Sequence, residues 1–177
     1  MRKVIVNSTP LIILGNIDRL DILQKIYGEI IIPRAVFEEV TSKNDDAKLK
    51  LSQNLSWIKI FEVKDKSDRK IYQAKLHDGE VEVMMLANEI SADLLIIDDN
   101  AAKKTAKFLG FTVTGTLGVL LKAKSRKIIG EIKPILKEML NRGFYISPKV
   151  LEIVLKTANE FILDNEKMSD GHDKRTN

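Results

Sequence analysis

Along most of the chain, short runs of Val and Ile alternate with amphipathic segments of helical period, and few folds accommodate that order of elements. The apolar runs mostly lack period-two alternation, which is typical of strands buried on both faces of a parallel sheet. Strand, helix, strand with short connections therefore predicts an α/β fold with helices on both faces of the sheet. The predicted strands are Lys3–Asn7, Glu29–Ile32, Trp57–Val63, Asp93–Asp98 and Phe111–Thr114.

The intervening segments and the C-terminal third carry helical patterns. Beyond Thr116 the pattern is helical only, which indicates a helical C-terminal extension from about residue 117. We expect one domain over residues 1–163, and a disordered tail over 164–177 because that stretch lacks apolar periodicity. The predicted helices are Pro10–Ile26, Pro33–Thr41, Asp78–Ile90, Asn100–Leu109, Leu117–Lys127, Glu131–Asn141 and Pro148–Leu163.

Cysteine is absent and histidine occurs only twice, at His77 and His172. This excludes disulfides, thiol nucleophiles and zinc sites built from Cys or from three His. A catalytic metal in this chain needs carboxylate ligands, which favours a hard cation such as Mg²⁺ or Mn²⁺. No apolar stretch approaches the ~18 residues of a membrane span, and the N-terminal apolar run is too short for a signal peptide. We expect no membrane partner and a cytoplasmic location.

The net charge of +4 conceals an uneven distribution. Residues 101–150 contain eleven Lys and Arg against two acids, whereas the remainder has 18 basic and 23 acidic residues. A protein that binds a polyanion and also holds an acidic metal site is expected to show this asymmetry. A solvated Lys-rich surface accounts for the charges equally well.

Acidic and amide residues fall where parallel strands end and helices begin, which is the ligand-binding edge of an open α/β sheet. Asn7 ends the first strand, and its ordinary role there is to cap the next helix. Of the pair Glu38 and Glu39, helical geometry directs Glu39 toward the strand ends, although two solvated glutamates are the commoner case. Glu80 lies in a first helical turn, where the helix dipole alone favours an acid.

Asp98 and Asp99 close the most apolar strand, at Leu94-Leu95-Ile96-Ile97. One of them is expected to cap the following helix, and both being caps is improbable. Clustered carboxylates repel one another, and a divalent cation offsets that repulsion in phosphoryl-transfer sites. The sequence offers neither a convincing Ser–His–Asp triad nor a glycine-rich phosphate loop.

These landmarks together resemble the PIN domain family, and within it the branch related to toxin nucleases of toxin–antitoxin pairs. The resemblance covers about residues 2–160 in order. It is carried by Val6-Asn7-Ser8-Thr9-Pro10-Leu11-Ile12, Ile32-Pro33-Arg34-Ala35-Val36-Phe37-Glu38-Glu39-Val40, Gly79-Glu80-Val81-Glu82, Leu95-Ile96-Ile97-Asp98-Asp99, Thr114-Gly115-Thr116-Leu117-Gly118-Val119-Leu120 and Gly143-Phe144-Tyr145-Ile146-Ser147.

The resemblance implies a three-layer α/β/α sandwich, Mg²⁺- or Mn²⁺-dependent cleavage of single-stranded RNA, and frequent homodimers. It places the catalytic and metal-binding residues at Asn7, Glu39, Glu80, Asp98 and Asp99. Asn7 stands where typical family members have an Asp, so the site has one negative charge fewer. With Asn7 in place of Asp, the resemblance alone does not decide whether the protein is catalytically active.

The leading hypothesis is therefore a metal-dependent endoribonuclease, in its fullest form a toxin restrained by a separate antitoxin protein. On this hypothesis several side chains contact RNA or orient ligands: Thr9, Thr116, Lys103, Lys104, Lys122 and Lys124. The alternative is a PIN-like module that binds RNA or protein without cleaving it, which Asn7 favours. A receiver-like phosphoacceptor domain lacks the required Lys and Asp spacing in this sequence.

Overall fold

A computed structural model of the 177-residue chain describes residues 2–42, 45–65, 67, 69–73 and 76–161. Within these residues, five strands form one sheet in the order β3-β2-β1-β4-β5, and every neighbouring pair is parallel. The parallel sheet predicted from the apolar runs is thus confirmed. The strands are β1 (Val4–Val6), β2 (Ile30–Pro33), β3 (Ile58–Phe61), β4 (Leu94–Ile96) and β5 (Val113–Thr114).

Helices flank the sheet and make the three-layer α/β/α sandwich, with helices continuing to the C-terminal end of the described chain. No helix in the described ranges is both long and apolar enough to cross a membrane. The helices are α1 (Ser8–Asn16), α2 (Asp21–Tyr27), α3 (Arg34–Ser42), α4 (Asp46–Gln53), α5 (Arg69–Gln73), α6 (Asp78–Ile90), α7 (Asn100–Phe108), α8 (Thr116–Ser125), α9 (Lys133–Asn141) and α10 (Pro148–Thr157).

The centre of the sheet determines where a site can form. All three residues of β1 are fully buried, as the unbroken Val-Ile-Val run predicts for a strand covered on both faces. β1 pairs with β2 on one side and with β4 on the other, so the strand order reverses at this strand. Parallel sheets leave a crevice beyond the carboxyl ends of the strands at such a reversal.

Two helical predictions need correction. The segment Pro10–Ile26 is not one helix but two, α1 and α2, because Asp18 adopts a left-handed conformation with φ of 54° that interrupts the helix. Aspartate tolerates this conformation better than most residues. The last helix ends at Thr157 rather than at Leu163. The predicted tail over 164–177 lies outside the described residues.

The sequence patterns did not predict α4 and α5. α4 packs on α1 at Gly15, where a Cβ atom would stand 2.8 Å from the Cα of Ala47. Backbone atoms cannot yield at that distance as a flexible side chain can. The missing side chain at Gly15 is therefore what allows α4 to pack this closely on α1.

We predict that Gly15→Ala destabilises the protein, although alanine is the better helix former by about 1 kcal/mol. The steric conflict with Ala47 costs more than the gain in propensity, and we expect the free energy of unfolding to fall by about 1–2 kcal/mol. Urea denaturation measures this change. Gly130→Ala is the matched control, since a Cβ there meets no atom within 4 Å, and it should stay within about 0.5 kcal/mol. Equal stabilisation by both substitutions would contradict the packing account.

Candidate active site

A cavity of about 820 Å³ opens at the carboxyl edge of the sheet, beside the ends of β1 and β4. Acids dominate its lining, and the structure brings Asn7, Glu39, Glu80 and Asp99 together there from four separate parts of the chain. Parallel pairing accounts for this convergence, because Val6 pairs with Ile96 and the residues that follow emerge side by side. The lining residues are Asn7, Ser8, Thr9, Ala35, Glu38, Glu39, Arg69, His77, Asp78, Gly79, Glu80, Glu82 and Asp99.

Asn7 is buried at the junction of β1 and α1. Its backbone N–H donates to the carbonyl of Ile96 at 2.9 Å, which ties the end of β1 to β4. Asn7 occupies the N-cap position of α1, yet its side chain caps no N–H of that helix. The Oδ1 atom is buried and has no hydrogen-bond partner among the described residues. A buried acceptor without a donor is costly, so this oxygen calls for a ligand in the cavity.

Gly79 leaves room for a carboxylate oxygen of Glu39. A Cβ atom at Gly79 would stand 2.8 Å from Oε2 of Glu39 and 3.8 Å from Oδ1 of Asn7. The Glu39 carboxylate therefore lies directly against the first turn of α6, and the Asn7 side chain lies close to the same glycine. Glu38 also lines the cavity, so the structure leaves both members of that pair at the site.

Glu80 lies in the first turn of α6 and is partly buried. Its Oε2 accepts a hydrogen bond of 3.0 Å from the backbone N–H of His77. Burial raises the pKa of Glu80, and the negative charges of Asp99 and Glu39 raise it further. The hydrogen bond from the His77 backbone opposes this shift without cancelling it. The raised pKa of Glu80 thus reflects first its own burial and then the nearby charges of Asp99 and Glu39, both of which are exposed.

The two aspartates after β4 have different partners. Asp98 accepts hydrogen bonds from the backbone N–H of Thr116 at 2.8 Å and from its hydroxyl at 2.5 Å, at the start of α8. Asp99 lines the cavity and caps α7, with Oδ1 accepting from the N–H of Ala102 at 2.8 Å. Asp98 and Thr116 are thus hydrogen-bonded to each other beside β5. Thr9 lines the cavity.

The donor chemistry of the cavity suits a hard divalent cation. Carboxylate and amide oxygens are the ligands that Mg²⁺ and Mn²⁺ prefer, and the buried oxygen of Asn7 is an acceptor that such an ion satisfies. In the described part of the chain, however, no three His, Asp or Glu side chains already stand in an arrangement that holds a metal ion. The side chains of Glu80 and Asp99 instead accept bonds from nearby backbone N–H groups.

Arg69 and Glu82 belong to the cavity and were not predicted as site residues. Glu82 is buried, and its Oε2 accepts from the N–H of Ala35 at 3.1 Å in the first turn of α3. Arg69 binds Glu82 at 3.3 Å and Asp78 at 2.8 Å. The signal for Glu82 was its place in the Gly79-Glu80-Val81-Glu82 motif. Nothing in the sequence pattern signals Arg69, which lies on the unpredicted helix α5.

The lysines proposed from the sequence are divided between the two edges of the sheet. Lys103 and Lys104 lie in the first turns of α7, which begins at the carboxyl edge directly after Asp99. Lys122 and Lys124 lie in the last turn of α8, which runs back toward the amino edge. Lys124 forms a 2.5 Å ion pair with Glu160, whose carboxylate also accepts backbone N–H bonds from Ile132 and Lys133. Fold and cavity together define an α/β protein of the PIN-like class, with an acidic cleft at the carboxyl edge of its sheet.

The comparison with protein families agrees with this class. The family model DUF3368, described as a PIN domain, matches residues 3–160. The chain therefore belongs to the PIN domain family. No curated protein matches the chain closely enough to add a name or an activity. PIN domains have a nuclease-like fold and generally use divalent metals.

We predict a pH-dependent stabilisation by Glu80→Gln in the metal-free protein. Because folding raises the pKa of Glu80, the folded state disfavours its charged form, and wild type loses stability relative to the variant as the pH rises above the ordinary Glu range. At pH 7 we expect the thermal midpoint of the variant to exceed that of wild type by about 2 °C. Near pH 3.5, where both states of wild type are protonated, the difference should vanish.

Thermal unfolding in EDTA at several pH values measures this effect. Glu138→Gln is the control, because Glu138 is exposed on α9 and lies outside the cavity. A midpoint difference for Glu80→Gln that does not grow with pH would contradict the electrostatic description of the cavity.

Proposed function

We propose that this protein is a metal-dependent endoribonuclease that cleaves single-stranded RNA. The observation that carries the proposal is the buried Oδ1 of Asn7, which has no hydrogen-bond partner in the described part of the chain and lies in a cavity shared with Glu39, Glu80 and Asp99. A cation in this acidic cavity would allow RNA to approach, because without it the acids repel both RNA and each other.

Asn7, Glu39, Glu80 and Asp99 are the residues that would hold Mg²⁺ or Mn²⁺. When bound, such an ion supplies positive charge that activates water and stabilises the charge on a reacting phosphate. Glu82 and Arg69 position the surrounding elements, since Glu82 joins α6 to the start of α3 and Arg69 joins α5 to α6. Asp98 orients the start of α8 through Thr116.

In this proposal Lys103 and Lys104 bind the RNA backbone, because α7 starts at the same edge of the sheet as the cavity. Thr9 on the cavity wall is a candidate to orient a phosphate or a ligand. The toxin role, a restraining antitoxin protein and a homodimer remain part of the proposal through the family resemblance.

We predict that Glu80→Gln with Asp99→Asn abolishes Mn²⁺ binding and lowers RNA cleavage about 100-fold or more, since a catalytic metal is worth several kcal/mol. Both substitutions keep the local hydrogen bonds, because Gln still accepts from His77 and Asn caps a helix as well as Asp does. Calorimetry with Mn²⁺ and cleavage of a labelled single-stranded RNA, on the same samples, measure the two effects.

The matched control is Glu131→Gln with Glu138→Gln, which removes the same charge from two exposed residues outside the cavity. It should retain both metal binding and cleavage. If the cavity variant still binds Mn²⁺ and cleaves RNA like wild type, the metal site lies elsewhere and the proposal fails.

A second function has one specific observation in its favour. Asn7 replaces the usual acid, and the described acids do not form a ready ligand set, as a non-catalytic RNA- or protein-binding module would allow. Asn7→Asp separates the two functions because it restores the missing charge.

We predict that Asn7→Asp tightens Mn²⁺ binding by about tenfold, because divalent-cation affinity follows the charge of the ligand set. If the wild-type protein is a nuclease, the cleavage rate of Asn7→Asp should differ from that of wild type by less than about tenfold, since the Asn7 amide already supplies an oxygen. Parallel calorimetry and cleavage assays measure both quantities. Strong cleavage by Asn7→Asp beside an inactive wild type would instead support the binding module.

A further inference from the structure

A cluster of basic residues surrounds Tyr27 at the amino edge of the sheet, opposite the acidic cavity. Tyr27 ends α2 just before β2, Arg2 precedes β1, and Lys122 and Arg126 lie at the end of α8. These four residues are called the Tyr27 corner below. None of them lines the acidic cavity, so the role of the corner does not depend on the proposed nuclease activity.

The hydroxyl of Tyr27 is a buried group without a partner. Its oxygen is buried and makes no hydrogen bond within the described residues. Burial raises the pKa of Tyr27, against the opposing charges of Arg2 and Arg126, so the hydroxyl keeps its proton at neutral pH and can donate it in a hydrogen bond. Buried hydroxyls are ordinarily paired, so this one indicates a missing acceptor.

The cations of the corner also lack counter-charges. Lys122 places its ammonium 5.0 Å from the centre of the Tyr27 ring, and Arg126 donates to the carbonyl of Ile26 at 3.0 Å. Across the described ranges, no carboxylate forms an ion pair with Arg2, Lys122 or Arg126. Burial lowers the pKa of Lys122, and the charges of Arg126 and Arg2 lower it further.

We propose that the Tyr27 corner binds a phosphate group, with the Tyr27 hydroxyl, the Lys122 ammonium and the Arg126 guanidinium as donors and Arg2 adding positive charge. A phosphate carries several acceptor oxygens and up to two negative charges, so it satisfies the hydroxyl and relieves the crowding of cations at once. A free phosphate, a nucleotide and the RNA backbone share this chemistry.

Binding of three probes tests the proposal: inorganic phosphate, adenosine 5′-monophosphate and a ten-nucleotide single-stranded RNA. Calorimetry at low salt with EDTA keeps any metal out of the acidic cavity and prevents metal-dependent cleavage. We expect wild type to bind at least one probe, and Lys122→Gln with Arg126→Gln to weaken that binding about tenfold or more. For the RNA, the slope of log affinity against log salt should fall by about 1, because one phosphate contact is lost.

Lys107→Gln with Lys137→Gln is the matched control, since it removes two charges from exposed residues outside the corner. Its affinity for the small probes should stay within about twofold of wild type. Binding of all three probes identifies a general phosphate site, whereas binding of the RNA alone identifies a backbone contact. No binding of any probe, or an equal loss in the control, would overturn the proposal.

Tyr27→Phe tests the hydroxyl separately while it keeps the ring and the cations. We expect it to weaken phosphate binding about threefold to tenfold, as loss of one hydrogen bond to a charged group does. Its thermal midpoint should equal or exceed that of wild type, because the variant removes an unpaired buried hydroxyl. Unchanged phosphate affinity in Tyr27→Phe would contradict the site as described.

Discussion

Carboxylates that share one cavity repel each other, and the fold of this protein holds several of them together. The parallel pairing of β1 with β4 brings the residues after both strands to one edge, and the middle of α3 and the start of α6 add further acids. Among the described cavity residues, Arg69 is the one side chain with a permanent positive charge. Burial raises the pKa of Glu80, and the charges of Asp99 and Glu39 raise it further. An added cation would offset both effects.

Backbone N–H groups at helix starts keep this acidic edge folded without an ion. Glu80 accepts from His77, Asp99 caps α7, and Glu82 accepts from the start of α3. Acids at helix N-termini are stabilised in this way by the exposed N–H groups and the helix dipole. Each of these bonds engages one oxygen of the Glu80 or Asp99 carboxylate, and the second oxygen can still bind a metal ion. Among the described residues, Oδ1 of Asn7 accepts no hydrogen bond, so an ion that binds it satisfies a buried acceptor.

Much of the fold followed from the sequence because strong periodic signals produced it. Short runs rich in Val, Ile and Leu predicted all five described strands, and the segment Asp78–Ile90 was predicted with the bounds of α6. The remaining features of the fold were not predicted because their local sequence signals are weak. The left-handed Asp18 divides α1 from α2, and α5 is too short for its period to be visible in the sequence. Arg69 lines the cavity because α5 packs beside it, and no sequence pattern indicates that packing.

The sequence could not predict that Asp98 binds Thr116 while Asp99 lines the cavity. Consecutive acids after a strand differ only in where the following turn directs their side chains. The burial of Asn7 and its missing cap bond are likewise tertiary facts. Anomalous scattering from Mn²⁺ in crystals of the wild-type protein tests the account most directly. We expect one strong peak in the acidic cavity, within coordination distance of Oδ1 of Asn7. An empty cavity at saturating Mn²⁺, or an ion bound away from Asn7, would contradict it.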